Sequence, residues 1–256
     1  MMPPPPCPPP FEWTSRAGSA ALVCSALEAW HGWTTRELEL GGPDDGADGW
    51  SRLAAAGGPA PPRLARLHQV HGNIVVHARD GLQGEAPTGD ALISCDPGVL
   101  VAVRVADCVP LLITDPATGA VAAVHAGWRG TSAAVARHAV DAMVRTFGSR
   151  PARLVAALGP SIGPCCYETG AAVRDALRRA GWPGDLIEGW FEGPERRHLN
   201  LWRANRDQLM AAGLDPRSVF ACSLCTACHP GWFHSYRRDG PRAGRLAAYI
   251  RAAAAS

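Results

Sequence analysis

Three short strings put metal-ligand or nucleophile side chains next to turns: Val70-His71-Gly72, Ala106-Asp107-Cys108-Val109-Pro110 and Val124-His125-Ala126-Gly127-Trp128-Arg129-Gly130. Zinc takes imidazole nitrogen and thiolate sulfur readily, and a catalytic zinc uses three protein ligands with an open fourth position. His71, Cys108 and His125 meet that count. Their wide spacing sets them apart from the paired ligands of a zinc finger. Spacing alone leaves a second reading open, in which Cys108 is a buried core thiol and the histidines are merely hydrogen-bonded. Asp90 and Asp107 are candidates to orient a ligating imidazole or carry a proton, or else to cap turns. Arg129 and the backbone N–H groups of Gly127 to Gly130, ahead of an expected helix, suit an anion. The alternative is a core Trp128 beside a surface ion pair of Arg129. His68 precedes His71 by three residues and would face the other side of a strand, which reads as structural.

Two further strings carry chemistry-bearing residues. Cys225-Thr226-Ala227-Cys228-His229 spells the attachment pattern of c-type haem, but that chemistry needs export and the chain opens without a signal peptide. A second metal site from Cys225, Cys228 and His229 is open. Cys165 and Cys166 are adjacent and read as two reduced thiols. Tyr236-Arg237-Arg238 reads as a basic turn that packs against a sheet edge, with carboxylate or phosphate binding as its other use.

Each of the three strings is expected to put its metal ligand at the end of a strand, and short runs rich in Val and Ile are the mark of buried strands. Strands are expected over Phe11 to Arg16, Ile74 to Val76, Ala91 to Ile93, Val99 to Val105, Leu111 to Ile113, Val121 to Val124, Leu154 to Leu158 and Val219 to Cys222. Helical periodicity predicts one helix capped by Thr131 or Ser132 and stopped by Gly148. Others are expected over Gly170 to Ala180, Asn200 to Ala212 and Leu246 to Ala254. Asp44-Asp45, Pro59 to Pro62 and Asp80 to Gly89 read as loops. The pattern predicts an α/β fold: a single domain over residues 11–256 with a mixed β-sheet core flanked by helices. The Pro-rich residues 1–10 read as a disordered tail.

Composition removes several classes. The 256 residues carry a formal net charge of +2 and no basic or acidic block, so no nucleic-acid or membrane surface is expected. No apolar run reaches the roughly 20 residues of a membrane span. Every basic side chain is Arg, which excludes a Schiff-base lysine and a phosphate-loop lysine. Nine cysteines, an odd count, without an export signal predict a reduced, cytoplasmic chain.

The ordered strings resemble the laccase-domain family, also known as multicopper polyphenol oxidase-type purine nucleoside phosphorylases or peptidoglycan editing factors. The resemblance spans roughly residues 60–250. It runs through Gln69-Val70-His71-Gly72, Gly89-Asp90-Ala91-Leu92, Ala106 to Pro110 and His125 to Gly130. It continues through Leu158-Gly159-Pro160-Ser161-Ile162, Cys166-Tyr167-Glu168, Cys225-Thr226 and Phe233-His234-Ser235-Tyr236-Arg237-Arg238-Asp239-Gly240. It implies zinc on His71, Cys108 and His125, with copper as the other metal. It also implies phosphorolysis of adenosine, inosine and S-methyl-5'-thioadenosine, a glycosyl transfer to phosphate, together with adenosine deamination. Cys108, Asp107 and Arg129 are the expected catalytic residues. The N-terminal region departs from the family, keeping only Leu38-Glu39-Leu40-Gly41 and Asp44-Asp45 as echoes, so a different substrate preference or reduced activity is expected there. The competing readings are a Cys108–His125 amidase acting on peptidoglycan precursors, a copper-dependent polyphenol oxidoreductase, and a non-catalytic binding module. A multicopper centre wants more His ligands than this cluster offers.

Overall fold

The computed structural model describes residues 3–41, 47–57, 62–79 and 85–253. Asp44, Asp45, Pro59, Asp80 and Ala254 fall outside them. The strands are β1 (Phe11–Arg16), β2 (Ser19–Cys24), β3 (Trp30–Thr34), β4 (Arg63–Ala65), β5 (Val75–His77), β6 (Ala91–Ser94) and β7 (Val99–Val105). They continue with β8 (Val109–Thr114), β9 (Val121–Ala126), β10 (Val155–Leu158), β11 (Phe191–Glu192), β12 (His198–Leu199), β13 (Val219–Ala221) and β14 (Leu246–Arg251). The helices are α1 (Ala47–Ala55), α2 (Trp128–Ser132), α3 (Val135–Phe147), α4 (Ala171–Arg179), α5 (Gly184–Trp190), α6 (Leu201–Ala211) and α7 (Tyr236–Asp239).

The expected α/β class with a mixed sheet is borne out, and the sheet is doubled. One six-stranded sheet runs β1-β2-β3-β14-β7-β4 and the other β13-β10-β8-β9-β6-β5. Each mixes parallel with antiparallel pairs: β4 with β7, β5 with β6 and β10 with β13 are parallel. Strand alternation sorts the side chains into layers. On β6, Ala91 and Ile93 face the helices α3 and α6, while Leu92 faces the other sheet. Leu112 and Ala123 join it there, against Trp33, Val101, Val103 and Ile250 of the first sheet. The outer face of that sheet, with Leu100, Ala102 and Tyr249, is covered by Leu38, Leu40 and by Trp50 and Leu53 of α1. The order is therefore helix, sheet, sheet, helix.

Three expectations are corrected. Leu246 to Ala254 does not form a helix: Leu246–Arg251 is β14, wedged between β3 and β7 with Tyr249 opposite both Gly32 and Ala102. Alanine's helix preference is worth only a few tenths of a kcal/mol per residue over most other side chains. A strand buried on both faces has no polar side, and Leu246 to Ile250 has none. The helix expected after Gly130 is broken. Residues Trp128–Ser132 form α2, Ala134 takes a left-handed φ of 59°, and α3 starts at Val135. Gly148, left-handed at φ 69°, ends α3 as expected. The Pro-rich start lies on the body: Pro5 is buried, and the Trp13 indole donates to its carbonyl at 2.9 Å. A proline segment leaves its carbonyls unpaired, and the indole takes one.

The sheets are pinned by Trp33 on β3. It is 1 % exposed and donates its Nε1–H to the Pro110 carbonyl on β8 at 3.1 Å. Trp33→Ala is expected to cost about 3–5 kcal/mol by cavity formation. Urea unfolding of the two proteins measures this, and a cost below about 1 kcal/mol would contradict the layered packing.

Candidate metal centre

The three ligand candidates arrive from three directions. His125 is the next-to-last residue of β9, and parity places it on the same face as Val121 and Ala123, towards the other sheet. Cys108 precedes β8, whose register sets Val109 opposite Ala126 and Pro110 opposite His125. His71 sits on the connection between β4 and β5 with a left-handed φ of 61°. Their ligand atoms all lie within 4.8 Å of one another. His125 is buried, Cys108 half-buried and His71 exposed, so the cluster lies at the rim of the layer between the sheets. Gly127 makes the approach possible: a Cβ there would stand 2.5 Å from Cys108 Sγ.

Asp90, fully buried, organises the group. Its Oδ1 accepts from the His71 N–H at 2.9 Å and its Oδ2 from the Gly72 N–H at 2.6 Å. The Nδ1 of His125 lies 2.8 Å from Oδ1. An ionised carboxylate accepts only, so Nδ1 carries a proton, and Nε2 is the edge left to bind a ligand once it gives up its own. Burial pushes the Asp90 carboxyl up, but its bonds to His125, Gly72 and His71 outweigh that and hold it below the usual carboxylate range. Burial likewise raises the Cys108 thiol, and the facing His125 and His71 rings reverse the shift downwards. Burial lowers the His125 imidazole, and Cys108 and Asp90 reverse that upwards. Without a cation the trio therefore favours thiolate and imidazolium. Two nitrogens and one sulfur, converging with an ordered carboxylate behind, are a donor set suited to zinc.

Asp107 adjoins the cluster, but both its oxygens are engaged. Thr226 Oγ1 donates to Oδ1 at 2.5 Å and the Arg237 N–H to Oδ2 at 2.6 Å. Asp107 takes a φ of 85°, and its carbonyl accepts from the Ile162 N–H at 2.9 Å. The carboxylate thus holds the turn that presents Cys108. Arg129 is exposed, its guanidinium 4.4 Å from the Trp128 ring. The stretch from Gly127 to Gly130 is not a loop ahead of a long helix: Trp128–Ser132 is itself a short helix, with little dipole to offer an anion. The charge available is that of Arg129. His68 is exposed and does not join the trio; its backbone forms a bridge with Thr88. His229 does not join Cys225 and Cys228; its ring meets Phe233 edge-on.

Tyr167 is not singled out by the sequence, and Arg237 enters only as part of a basic turn that could bind an anion, although both stand in family-like strings. Burial, then the nearby Cys108, push the Tyr167 phenol up to about 12. The Arg237 guanidinium lies 5.1 Å from the Tyr167 ring and donates to the Glu168 carbonyl at 3.0 Å. Arg237 also lines a cleft of about 920 Å³ with Glu168, Arg174 and Arg197, which the three ligand residues do not line. Arg238 is spent on structure, binding Asp239 and the Thr226 and Phe233 carbonyls. Asp90→Asn leaves shape nearly unchanged but gives His125 Nδ1 a neutral partner. It should weaken zinc binding about 10–100-fold. Competition with a chromophoric chelator reads this, and an unchanged affinity would contradict the role of Asp90.

Known proteins resemble the chain along most of its length. The family described as multi-copper polyphenol oxidoreductase laccase matches residues 43–253. A Deinococcus radiodurans protein named purine nucleoside phosphorylase is 43% identical over 207 residues, covering 80% of this chain and 76% of its own. Adenosine deaminase RL5, from an unknown prokaryotic organism, is 37% identical over 61% of this chain and 59% of its own. The crystal structure of YlmD from Geobacillus stearothermophilus superposes with a TM-score of 0.85 at 31% identity, covering 96% of this chain and 100% of that one. No helix among the described residues is long and apolar enough to cross a membrane. From the ordered motifs, the shared double-sheet fold and these matches, the chain belongs to the multi-copper polyphenol oxidoreductase laccase family.

Proposed function

We propose that this protein is a zinc-dependent purine nucleoside phosphorylase, acting on adenosine, inosine and S-methyl-5'-thioadenosine with phosphate, and that it also deaminates adenosine. The observation that carries the reading is the convergence of His71, Cys108 and His125 within 4.8 Å behind a buried Asp90. Relatives named purine nucleoside phosphorylase and adenosine deaminase support the choice of substrate. Zinc held by the three would supply a Lewis acid that polarises a substrate oxygen or acidifies water near neutral pH.

The remaining work belongs to the chain. Asp90 keeps His125 in the tautomer with Nδ1 protonated, which leaves Nε2 for the metal. Asp107 fixes the Cys108 turn and acts as a positioning residue, because its oxygens are already taken by Thr226 and Arg237. Arg129 provides the counter-charge for phosphate, and Arg237 extends that positive surface towards the cleft. In phosphorolysis a phosphate oxygen bonds to C1' of the ribose while the C1'–N9 bond breaks and the purine leaves with the electron pair. In deamination water adds at C6 and ammonia departs. All described cysteines are free, which suits a reducing cytoplasm.

Copper fits the same donors, but a multicopper oxidase needs further His-rich sites. Among the described residues the other candidate metal group consists of cysteines alone. The lowered Cys108 thiol beside His125 favours one rival, a metal-free Cys–His amidase. A chelator separates the two, abolishing the proposed reaction and sparing the amidase. With adenosine and phosphate the zinc protein is expected to release adenine and ribose 1-phosphate, and inosine by deamination. His71→Ala should abolish both reactions, and Arg129→Ala should raise the KM for phosphate about 10–100-fold with kcat less affected. Neither product from fully zinc-loaded protein would overturn the proposal.

A further inference from the structure

Outside the site just described, four cysteines meet. The parallel neighbours β10 and β13 do not part where the strands end. Ser161 N–H donates to the Leu224 carbonyl at 3.2 Å, and Thr226 N–H to the Ser161 carbonyl at 3.0 Å. This continuation carries Cys165-Cys166 on one segment against Cys225 and Cys228 on the other. All four sulfurs lie within 4.8 Å of one another, with Cys228 Sγ 3.5 Å from Cys165 Sγ and 3.4 Å from Cys166 Sγ. A disulfide would bring a pair to about 2.05 Å. Four sulfurs placed tetrahedrally about 2.3 Å from one zinc stand about 3.8 Å apart, which falls inside the spread seen here.

Apolar packing does not account for the gathering, because Cys165 and Cys228 are exposed. The Gly163 N–H points at Cys225 Sγ at 3.2 Å, a donor that suits a thiolate. The order Cys-Cys followed far along the chain by Cys-x-x-Cys brings two ligands from each segment, as closed structural zinc sites do. We propose that Cys165, Cys166, Cys225 and Cys228 bind a second, structural zinc ion. It clamps residues 161–167 to 222–228, where few backbone bonds do so. Those segments present Ile162 and Thr226 to Asp107, so the clamp stiffens the support of the Cys108 turn without touching substrate. The site shares no residue with His71, Cys108 and His125, and it stands or falls separately from the nucleoside reaction.

Metal analysis of protein purified under reducing conditions tests this. The wild type should hold one more zinc equivalent per chain than Cys228→Ser, whose altered side chain is exposed and therefore cheap to change. His71→Ala, lacking the first site, should keep the thiolate-bound equivalent. Its cobalt(II)-substituted form should then show intense sulfur-to-cobalt charge transfer and tetrahedral ligand-field bands, whether or not Cys228→Ser folds. Equal zinc in wild type and a folded Cys228→Ser would overturn the proposal. So would absence of the cobalt bands in His71→Ala, iron in place of zinc in that equivalent, or an intact mass two hydrogens short per disulfide formed among these cysteines.

Discussion

A buried carboxylate needs several donors to stay charged, and Asp90 finds them in two elements that would otherwise be independent. It draws the backbone of His71 and Gly72 inwards and takes the proton-bearing edge of the His125 ring. Its own carbonyl also receives the His125 N–H at 2.8 Å, so backbone and side chain register β6 against β9 at the level of the cluster. The left-handed backbone at His71, a strain of roughly 1–3 kcal/mol for a non-glycine residue, persists because these bonds hold it. Without Asp90 the exposed His71 would have no fixed approach to Cys108.

The rest of the fold supplies rigidity behind that carboxylate. Strands buried on both faces carry little freedom, and the layer between the sheets is filled by Trp33, Leu92, Leu112 and Ile250. Trp33 reaches across to Pro110, and the same Pro110 carbonyl accepts from the Gly159 N–H at 2.9 Å, so the strand leaving Cys108 is held from two sides. Asp107 finishes the task by bonding Thr226 and the start of α7. The cluster therefore sits on strand ends and braced turns, and its geometry is set before any substrate arrives.

Much of this was readable from residue order. Continuous runs such as Val99 to Val105 revealed buried strands, and His71, Cys108 and His125 were nominated by type and by resemblance to a family. What escaped was set by tertiary context. The stretch from Leu246 to Ile250 is Ala-rich, and only its lack of a polar face pointed to a central strand. The doubling of the sheet was hidden because period-2 alternation names two faces without naming what covers them. The break at Ala134 had no Gly or Pro to announce it. Tyr167 carries no signal of its own in the sequence and Arg237 only that of a basic turn; the fold brings the two together near Asp107 and Cys108. Local spacing pairs Cys225 and Cys228 with the adjacent His229, whereas the fold brings Cys165 and Cys166 to them from a distant segment.

The central claim is that His71, Cys108 and the Nε2 edge of His125 hold one zinc ion while Asp90 holds the Nδ1 edge. Crystals of the zinc-loaded protein, recorded at the zinc absorption edge, place the ion directly. The account predicts an anomalous peak at bonding distance from all three residues, with the His125–Asp90 hydrogen bond intact. A peak elsewhere, or zinc on His125 Nδ1 with that bond broken, would contradict it.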